Sequence, residues 1–282
     1  MITNYIKLIY KKLIEKKISW VILEFISKLT FGFIELRIDK VVEKKRRELS
    51  KKISRIFNYK VQQGPFRNML LSKKQYWGIG DHGVKILGLY EKEIQDLIVE
   101  IQEKEEYKTF VDIGGADGFY AIGSLVNNLF KECIVFEASK KGRESIFNNA
   151  KLNSVEDMIS IQGVATDSAV LRLSSNINHS LILCDIEGGE FKLFSNKLLE
   201  ELYPSNIIIE IHRGSKEDEL DLEKRASKLF TINKVIQAPK SLHIFNELKN
   251  FNDNNRSLLL SEGRSYVQEW WHLSPKMSNK KS

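Results

Sequence analysis

The sequence predicts an α/β protein built on a mostly parallel sheet, and three observations lead to that prediction. From Thr109 onward, short apolar runs typical of buried strands alternate with stretches whose apolar residues recur at helical spacing. The first of these runs ends at glycines, which suits a tight turn into a helix. The last two predicted strands are joined through Ala238-Pro239-Lys240, which is short enough for a hairpin, so the final strand should run antiparallel.

The predicted elements alternate along the chain in an order that suits right-handed crossovers and a Rossmann-like sheet. Helices are predicted near residues 87–101, 118–129, 139–152, 188–200 and 217–229. The seven predicted strands lie near residues 109–113, 132–137, 158–164, 179–185, 205–211, 231–236 and 241–245.

The charge distribution divides the chain into two predicted parts. Residues 1–60 hold 16 Lys and Arg against 6 Asp and Glu, whereas the remaining residues hold 28 against 31. We therefore predict a basic helical extension over residues 1–61 and a main domain over residues 62–282. Because the main domain is slightly acidic, no nucleic-acid partner is expected.

The extension carries apolar residues near helical spacing over residues 2–29, with lysines interspersed, and a second charge-dense stretch follows at Glu43–Arg55. One interpretation of residues 1–56 is a peripheral contact with an anionic membrane or a partner helix, and the other is packing on the main domain or self-association. The apolar stretch Ile18–Leu36 is interrupted by charges, which argues against a signal peptide and a spanning helix. Cys133 and Cys184 are isolated in the sequence, which is typical of proteins in a reducing compartment. We therefore expect a cytoplasmic protein, which could bind peripherally to the inner face of a membrane.

The turn after the first predicted strand indicates a nucleoside site. Asp112 precedes the first glycine of the turn, Gly114, by two residues. The next strand ends at Glu137, where an acid can bind ribose hydroxyls. The dinucleotide pattern Gly-x-Gly-x-x-Gly is absent, because Ala116 occupies its second glycine. An acid at this position suits the positive S-adenosylmethionine better than a pyrophosphate. The predicted cofactor-binding residues are Asp112, Gly114, Gly115, Asp117, Gly118, Tyr120, Glu137, Ala138 and Asp185.

A second motif, Asp185-Ile186-Glu187-Gly188-Gly189-Glu190, follows the fourth predicted strand. Carboxylates at the end of a buried strand are costly unless they hold a ligand, a metal or a proton. Glu190 also suits a simple role at a helix N-terminus. Glu210 and His212 end the next strand and share one face of it. A divalent ion held by Asp185, Glu210 and His212 is a hypothesis that the sequence leaves open.

The chain resembles the FkbM-type S-adenosylmethionine-dependent methyltransferases over about residues 85–245. The resemblance rests on Val111-Asp112-Ile113-Gly114, on Phe136-Glu137-Ala138, on Ile209-Glu210-x-His212 and above all on Asp185-x-Glu187-Gly188-x-Glu190. It implies methyl transfer to a hydroxyl of a sugar, glycan or small natural product. The candidate catalytic residues are Asp185, Glu187, Glu210 and His212, with Asp185 as the first candidate base.

Two other classes stay open: an RNA or protein methyltransferase, and a non-catalytic membrane-associated binding protein. Asp185-Ile186-Glu187-Gly188 stands where a base-amine methyltransferase would carry Asn/Asp-Pro-Pro-Tyr. Aromatic residues flank the predicted core and could shape an acceptor pocket, with Arg264 holding an acidic group of the acceptor. The simpler interpretation of Trp270 and Trp271 is that they pack the C-terminal segment onto the domain. The flanking residues are Tyr76, Trp77, His82, Trp270, Trp271 and His272.

Overall fold

The computed structural model describes residues 40–74, 76–238, 240, 245–264 and 266–276. The chain divides into two compact units between Arg46 and Arg47. Of the first unit the structure describes residues 40–46, which are helical, so the predicted helix over residues 2–29 lies outside the described residues. Among the helices that the structure describes, none has the length and apolarity needed to cross a membrane. The predicted boundary at 61/62 remains a prediction.

The second unit is organised by one seven-stranded sheet with the order β3-β2-β1-β4-β5-β7-β6. All neighbouring strands pair in parallel except β7, which is antiparallel to both β5 and β6. Isoleucine is the most frequent residue of the strands, and the central strands β1, β4 and β5 are buried throughout, as expected where a sheet is covered on both faces. The strands are β1 (Thr109–Ile113), β2 (Glu132–Phe136), β3 (Ile159–Gln162), β4 (Leu181–Cys184), β5 (Asn206–Ile211), β6 (Phe230–Ile236) and β7 (Glu269–Pro275).

Helices cover both faces of the sheet, and several begin at serine or threonine caps. Ser139, Thr166, Ser195 and Ser215 each accept a hydrogen bond from a backbone amide in the first turn of the helix that follows. The helices are α1 (residues 47–56), α2 (His82–Ile86), α3 (Lys92–Glu105), α4 (Phe119–Val126), α5 (Lys140–Leu152), α6 (Asp167–Leu171), α7 (Ser174–Ile177), α8 (Glu190–Leu193), α9 (Asn196–Leu202), α10 (Lys216–Ala226) and α11 (Asp253–Leu260).

The mostly parallel sheet with an antiparallel last strand is confirmed, and among the described residues that last strand is β7 rather than the predicted strand near residues 241–245. Residues 237–268 connect β6 to β7, and residues 241–244 of the predicted last strand lie outside the described residues. The antiparallel strand instead contains Trp270 and Trp271, which point to opposite faces of the sheet and are both buried. These tryptophans are therefore part of the core and do not wall an acceptor pocket.

The sheet separates two apolar clusters. One cluster holds Phe110, Ile208 and Trp270, and helix α1 contributes Leu49 and Ile53 to it. The other cluster lies against helices α9 and α10 on the opposite face. Both cysteines are buried and unpaired, which agrees with their predicted role as small core residues. This packing fixes the carboxyl ends of β1, β2, β4 and β5 at one edge of the sheet.

Candidate functional site

The turn after β1 packs directly onto the start of the second motif. Gly114 has φ +99°, and a Cβ added there would lie 1.7 Å from the carbonyl oxygen of Asp185, so no other residue fits. The amide of Asp185 donates to the carbonyl of Ile113 (2.8 Å), and the amide of Gly114 donates to that of Phe136 (2.9 Å). These contacts hold the ends of β1, β2 and β4 together.

Asp112 is buried beneath this turn. Its Oδ2 accepts a hydrogen bond from the amide of Ala121 in α4 (3.1 Å). Burial raises the pKa of Asp112 to about 7; the bond from Ala121 opposes this, and the charges of Asp185 and Glu137 add to it. The side chain thus ties the glycine turn to the helix and is not part of the wall of the neighbouring cavity.

Because its folded pKa lies above its value of about 4 in an unfolded chain, Asp112 contributes stability that is present at acid pH. That contribution is lost as the pH rises from about 4 to about 7. As the pH rises through this range, the free energy of unfolding of Asp112→Asn should therefore increase relative to that of the wild type, by more than about 1 kcal/mol. Urea unfolding between pH 4.5 and 7.5 measures the difference. The exposed control Asp157→Asn should run parallel to the wild type, and parallel behaviour of Asp112→Asn would contradict the buried-acid account.

Glu137, at the end of β2, is held by two backbone amides. Its Oε2 accepts from Ala116 (2.8 Å) and its Oε1 from Ser139 (2.7 Å). Each carboxylate oxygen keeps a further lone pair for an incoming hydroxyl. Gly142 gives the side chain room, since a Cβ there would come within 2.6 Å of Glu137 Cγ.

A cavity of about 390 Å³ lies along this edge of the sheet. Of the predicted cofactor residues, Gly114, Glu137, Ala138 and Asp185 line it. Phe136, Val164, Ala165 and Ile186 supply apolar walls that suit a nucleobase. Val164 and Ala165 belong to no sequence motif, whereas Phe136 and Ile186 lie inside motifs in which only their polar neighbours were assigned to the site. The remaining lining residues are Tyr76, Trp77, Ala116, Ser139, Glu187 and Gly189.

Asp117 and Tyr120, both predicted to bind cofactor, lie elsewhere. Asp117 is 3.4 Å from Lys85 Nζ in an ion pair beside a separate, much smaller cavity. The hydroxyl of Tyr120 donates to Glu91 Oε2 (2.6 Å). Gly115 and Gly118 shape the turn, and Gly118 begins α4 with φ +85°. None of these four residues lines the larger cavity.

The three acids of the second motif converge on one imidazole. His212 Nε2 lies 3.5 Å from Asp185 Oδ1 and 3.5 Å from Glu187 Oε2, while His212 Nδ1 lies 3.3 Å from Glu190 Oε1. Glu190 is fully buried, and its Oε1 also accepts from the amide of His212 (3.0 Å). Its Oε2 accepts from the amide of Gly188 (2.9 Å), so it orients the imidazole as well as the turn.

The charges of this cluster shift the pKa values of His212 and Glu190 in opposite directions. Burial lowers the pKa of His212, but the hydrogen bond to Glu190 and the charges of Asp185, Glu190 and Glu187 outweigh it, so that the pKa is raised. Burial raises the pKa of Glu190, and its bonds to His212 outweigh that effect and lower it. The pair is therefore favoured in its charged form.

Glu210 faces a different partner. Its Oε1 accepts from Arg264 Nη1 (2.8 Å), whereas His212 Nε2 is 4.0 Å away. Glu210 and Asp185 are within hydrogen-bonding reach of each other, and burial raises the pKa of both carboxyls. Each of these two carboxyls therefore disfavours ionisation of the other.

Arg264 joins three buried acids. It donates from Nη1 to Glu210, from Nε to Glu262 (3.1 Å) and from Nη2 to Glu91. Lys240 also pairs with Glu262. The guanidinium is thus engaged by the protein's own carboxylates, which replaces the predicted contact with an acidic group of the acceptor. Sequence reasoning missed Glu91, which lies about 170 residues away from Arg264 along the chain.

The potential metal ligands differ from the predicted set by one residue. In the part of the chain that the structure describes, ligand atoms of Asp185, Glu187 and His212 lie within 4.8 Å of one another. Glu187 thus stands in the group where the sequence predicted Glu210, because Arg264 holds the Glu210 carboxylate.

The flanking loop contributes two of its three predicted residues to the cavity. Tyr76 Oη lies 3.0 Å from Ser139 Oγ, and Trp77 is 53% exposed beside it. His82 is instead buried, with Nδ1 2.8 Å from Ser54 Oγ, and burial lowers its pKa to about 3. It therefore stays neutral inside the core. His272 likewise lies away from the cavity, bonded to Asn206 (2.7 Å).

Comparison with known proteins gives distant structural matches and no sequence match. No family model matches the chain, and no curated protein matches it. An O-methyltransferase from Bacillus cereus in complex with SAH shares 11% identity, covering 63% of this chain and 79% of that one (TM-score 0.42).

Two further solved structures are described as a tRNA methyltransferase and a putative RNA methyltransferase. An M1A22 tRNA methyltransferase from B. subtilis shares 12% identity over 64% of each chain (TM-score 0.43). A putative RNA methyltransferase from Pyrococcus horikoshii shares 13% identity over 80% of this chain and 98% of that one (TM-score 0.44). Similarity at this level does not assign an activity or a substrate to this chain.

Proposed function

We propose that the protein is an S-adenosylmethionine-dependent O-methyltransferase of the FkbM type, acting on a hydroxyl of a sugar, glycan or small natural product. The observation that carries the proposal is the convergence of Asp185, Glu187 and Glu190 on His212 at the edge of the cavity. These are the residues of the motif on which the FkbM resemblance rests. These contacts bring the three acids of that motif together on one imidazole beside the cavity.

The residues of the cavity fit S-adenosylmethionine. Its volume of about 390 Å³ lies in the range of small-molecule sites. Glu137 would bind the ribose hydroxyls through its free lone pairs, and the apolar walls from Phe136 and Val164 would contact the adenine. Asp185 and the backbone at Gly114 would face the positive sulfonium end. The sheet order supports this choice, because β7 is inserted where the dinucleotide-binding order has none.

The acidic cluster supports a hydroxyl acceptor. Bound S-adenosylmethionine supplies an electrophilic methyl group, whose S–C bond breaks as the O–C bond to the acceptor forms. The residues of this chain have to orient the acceptor oxygen and take up its proton. Asp185 is the first candidate to receive it, since it lines the cavity and its raised pKa suits a base near neutral pH.

The charge of the site also favours a neutral acceptor over a nucleic acid. Glu137, Asp185 and Glu187 all line the cavity, and such a negative surface repels a phosphate backbone. The exposed indole of Trp77 offers a face on which a sugar ring can stack. A cytoplasmic location remains part of this proposal, and residues 1–56 would serve either peripheral membrane contact or self-association.

Transfer of a labelled methyl group tests the proposed function. Cells lacking the protein provide glycan, small-molecule, RNA and protein fractions as acceptors for [methyl-³H]S-adenosylmethionine. We expect label in a glycan or small-molecule fraction with the wild type, and about 10²–10⁴-fold less with Asp185→Asn, because proton removal is lost. Glu200→Gln, on an exposed face of α9, should match the wild type. Label confined to RNA or protein, or no transfer at all by the folded wild type, would contradict the proposal.

A further inference from the structure

We propose that Asp185, Glu187 and His212 form a binding site for a divalent cation of the Mn²⁺ or Mg²⁺ class. Binding of the ion does not depend on the proposed function, but its expected role at the acceptor hydroxyl does. The site combines two carboxylates and one imidazole from the ends of β4 and β5.

The separations of the donor atoms suit a single ion. Ligands held at about 2.1 Å in octahedral geometry stand roughly 3 to 4.3 Å apart. His212 Nε2 lies 3.5 Å from Asp185 Oδ1 and 3.5 Å from Glu187 Oε2, and all three ligand atoms lie within 4.8 Å of one another. A contraction of a few tenths of an ångström would bring them onto one ion.

The imidazole is already oriented as a ligand. Fully buried Glu190 binds His212 Nδ1 and the His212 amide through the same oxygen. A histidine whose Nδ1–H is bound by a carboxylate presents Nε2 outward, which is the arrangement around most metal-bound histidines, and a bound cation would displace the proton that Nε2 carries in the charged imidazolium. Here Nε2 points to the two remaining carboxylates and to the cavity edge, and His212 is only 13% exposed.

A buried oxygen without a donor is the second, independent observation. Among the residues that the structure describes, Asp185 Oδ1 is buried and lacks a hydrogen-bond donor, and it is the oxygen that faces His212 Nε2. An unpaired buried carboxylate oxygen is costly, and a cation at this point would satisfy it. Glu187 has φ +54°, a conformation that non-glycine residues seldom adopt, and in it the carboxylate reaches His212.

Three protein ligands leave coordination positions open, as in catalytic metal sites. Glu187 is 74% exposed and Asp185 lines the cavity, so the open positions face the space where the acceptor would bind. An acceptor hydroxyl, with a second oxygen on the neighbouring carbon, could occupy two of them. The site therefore favours acceptors that carry vicinal oxygens, such as sugar diols.

Mn²⁺ binding to the full chain tests the site. The six-line electron paramagnetic resonance signal of free Mn²⁺ should fall as one ion binds per wild-type chain, and the bound ion should show ¹⁴N modulation from the imidazole. Glu187→Gln should weaken binding more than about tenfold. Because Glu187 is 74% exposed, the substitution should leave the fold intact, and a thermal melt checks this directly. Glu103→Gln, an exposed acid of α3, should bind as the wild type does.

Three results would overturn the cation site: an unreduced Mn²⁺ signal with the wild type, equal binding by Glu187→Gln and the wild type, or equal weakening by the two variants. Titration of the same samples with S-adenosylmethionine separates this inference from the proposed function. Cofactor binding without Mn²⁺ binding removes the cation site alone. Mn²⁺ binding without cofactor binding removes the proposed function and leaves the cation site in place.

Discussion

Replacing Glu137 with alanine should weaken S-adenosylmethionine binding about 10- to 100-fold. Hydrogen bonds to a charged group contribute roughly 1.5–3 kcal/mol, and each 1.4 kcal/mol corresponds to about tenfold in affinity. Glu137 is the carboxylate at the end of β2, and two backbone amides already fix its position, so it binds without losing side-chain freedom. Isothermal titration calorimetry of the purified variant measures the change.

The control for this prediction is Glu144→Ala, an exposed acid on the helix that follows β2. It removes the same charge within seven residues of Glu137 and should leave the affinity unchanged. Thermal melts of both variants establish that each is folded. An affinity of Glu137→Ala equal to that of the wild type would show that Glu137 does not contact the cofactor.

Replacing Arg264 with methionine should lower the free energy of unfolding by about 3–5 kcal/mol, because it leaves buried carboxylates without their cation. Arg264 is 20% exposed, and its partners Glu91, Glu210 and Glu262 are at most 2% exposed. Urea unfolding at pH 8 measures the loss. Arg256→Met, which removes an exposed ion pair with Asp253, should change stability by less than about 0.5 kcal/mol.

The pH dependence distinguishes lost charge from lost packing at Arg264. Without the guanidinium, the raised pKa of Glu210 should rise further, and a carboxyl with a raised folded pKa loses stability as the pH rises. The difference between Arg264→Met and the wild type should therefore be smaller at pH 5 than at pH 8. A difference that does not change with pH would assign the loss to packing.

Most of the fold was predictable because local pattern and tertiary environment agree. The strand over residues 109–113 is apolar and ends in glycines, and its bounds match β1. The antiparallel strand was misplaced because Trp270 and Trp271 suggested a packed tail. Strand β7 lies between β5 and β6, and Trp270 and Trp271 are buried on its opposite faces. Two adjacent buried residues give no alternating apolar pattern from which a strand could be predicted.

The candidate site was predictable where its residues follow strand ends. Asp185 and His212 were predicted because parallel strands bring their carboxyl ends to one edge. The role of Glu210 could not be inferred, since its partner Arg264 comes from a loop 54 residues further on. The apolar walls at Val164 and Ala165 were missed for a similar reason, because a binding surface of small apolar residues carries no signature in sequence.

Calorimetric titration of the wild-type chain with S-adenosylmethionine shows whether the cavity beside Glu137 and Asp185 holds this cofactor. We expect one molecule of S-adenosylmethionine to bind per chain, with S-adenosylhomocysteine competing for the same site. A folded wild-type protein that releases no binding heat with either compound, and gains no thermal stability from them, would contradict it.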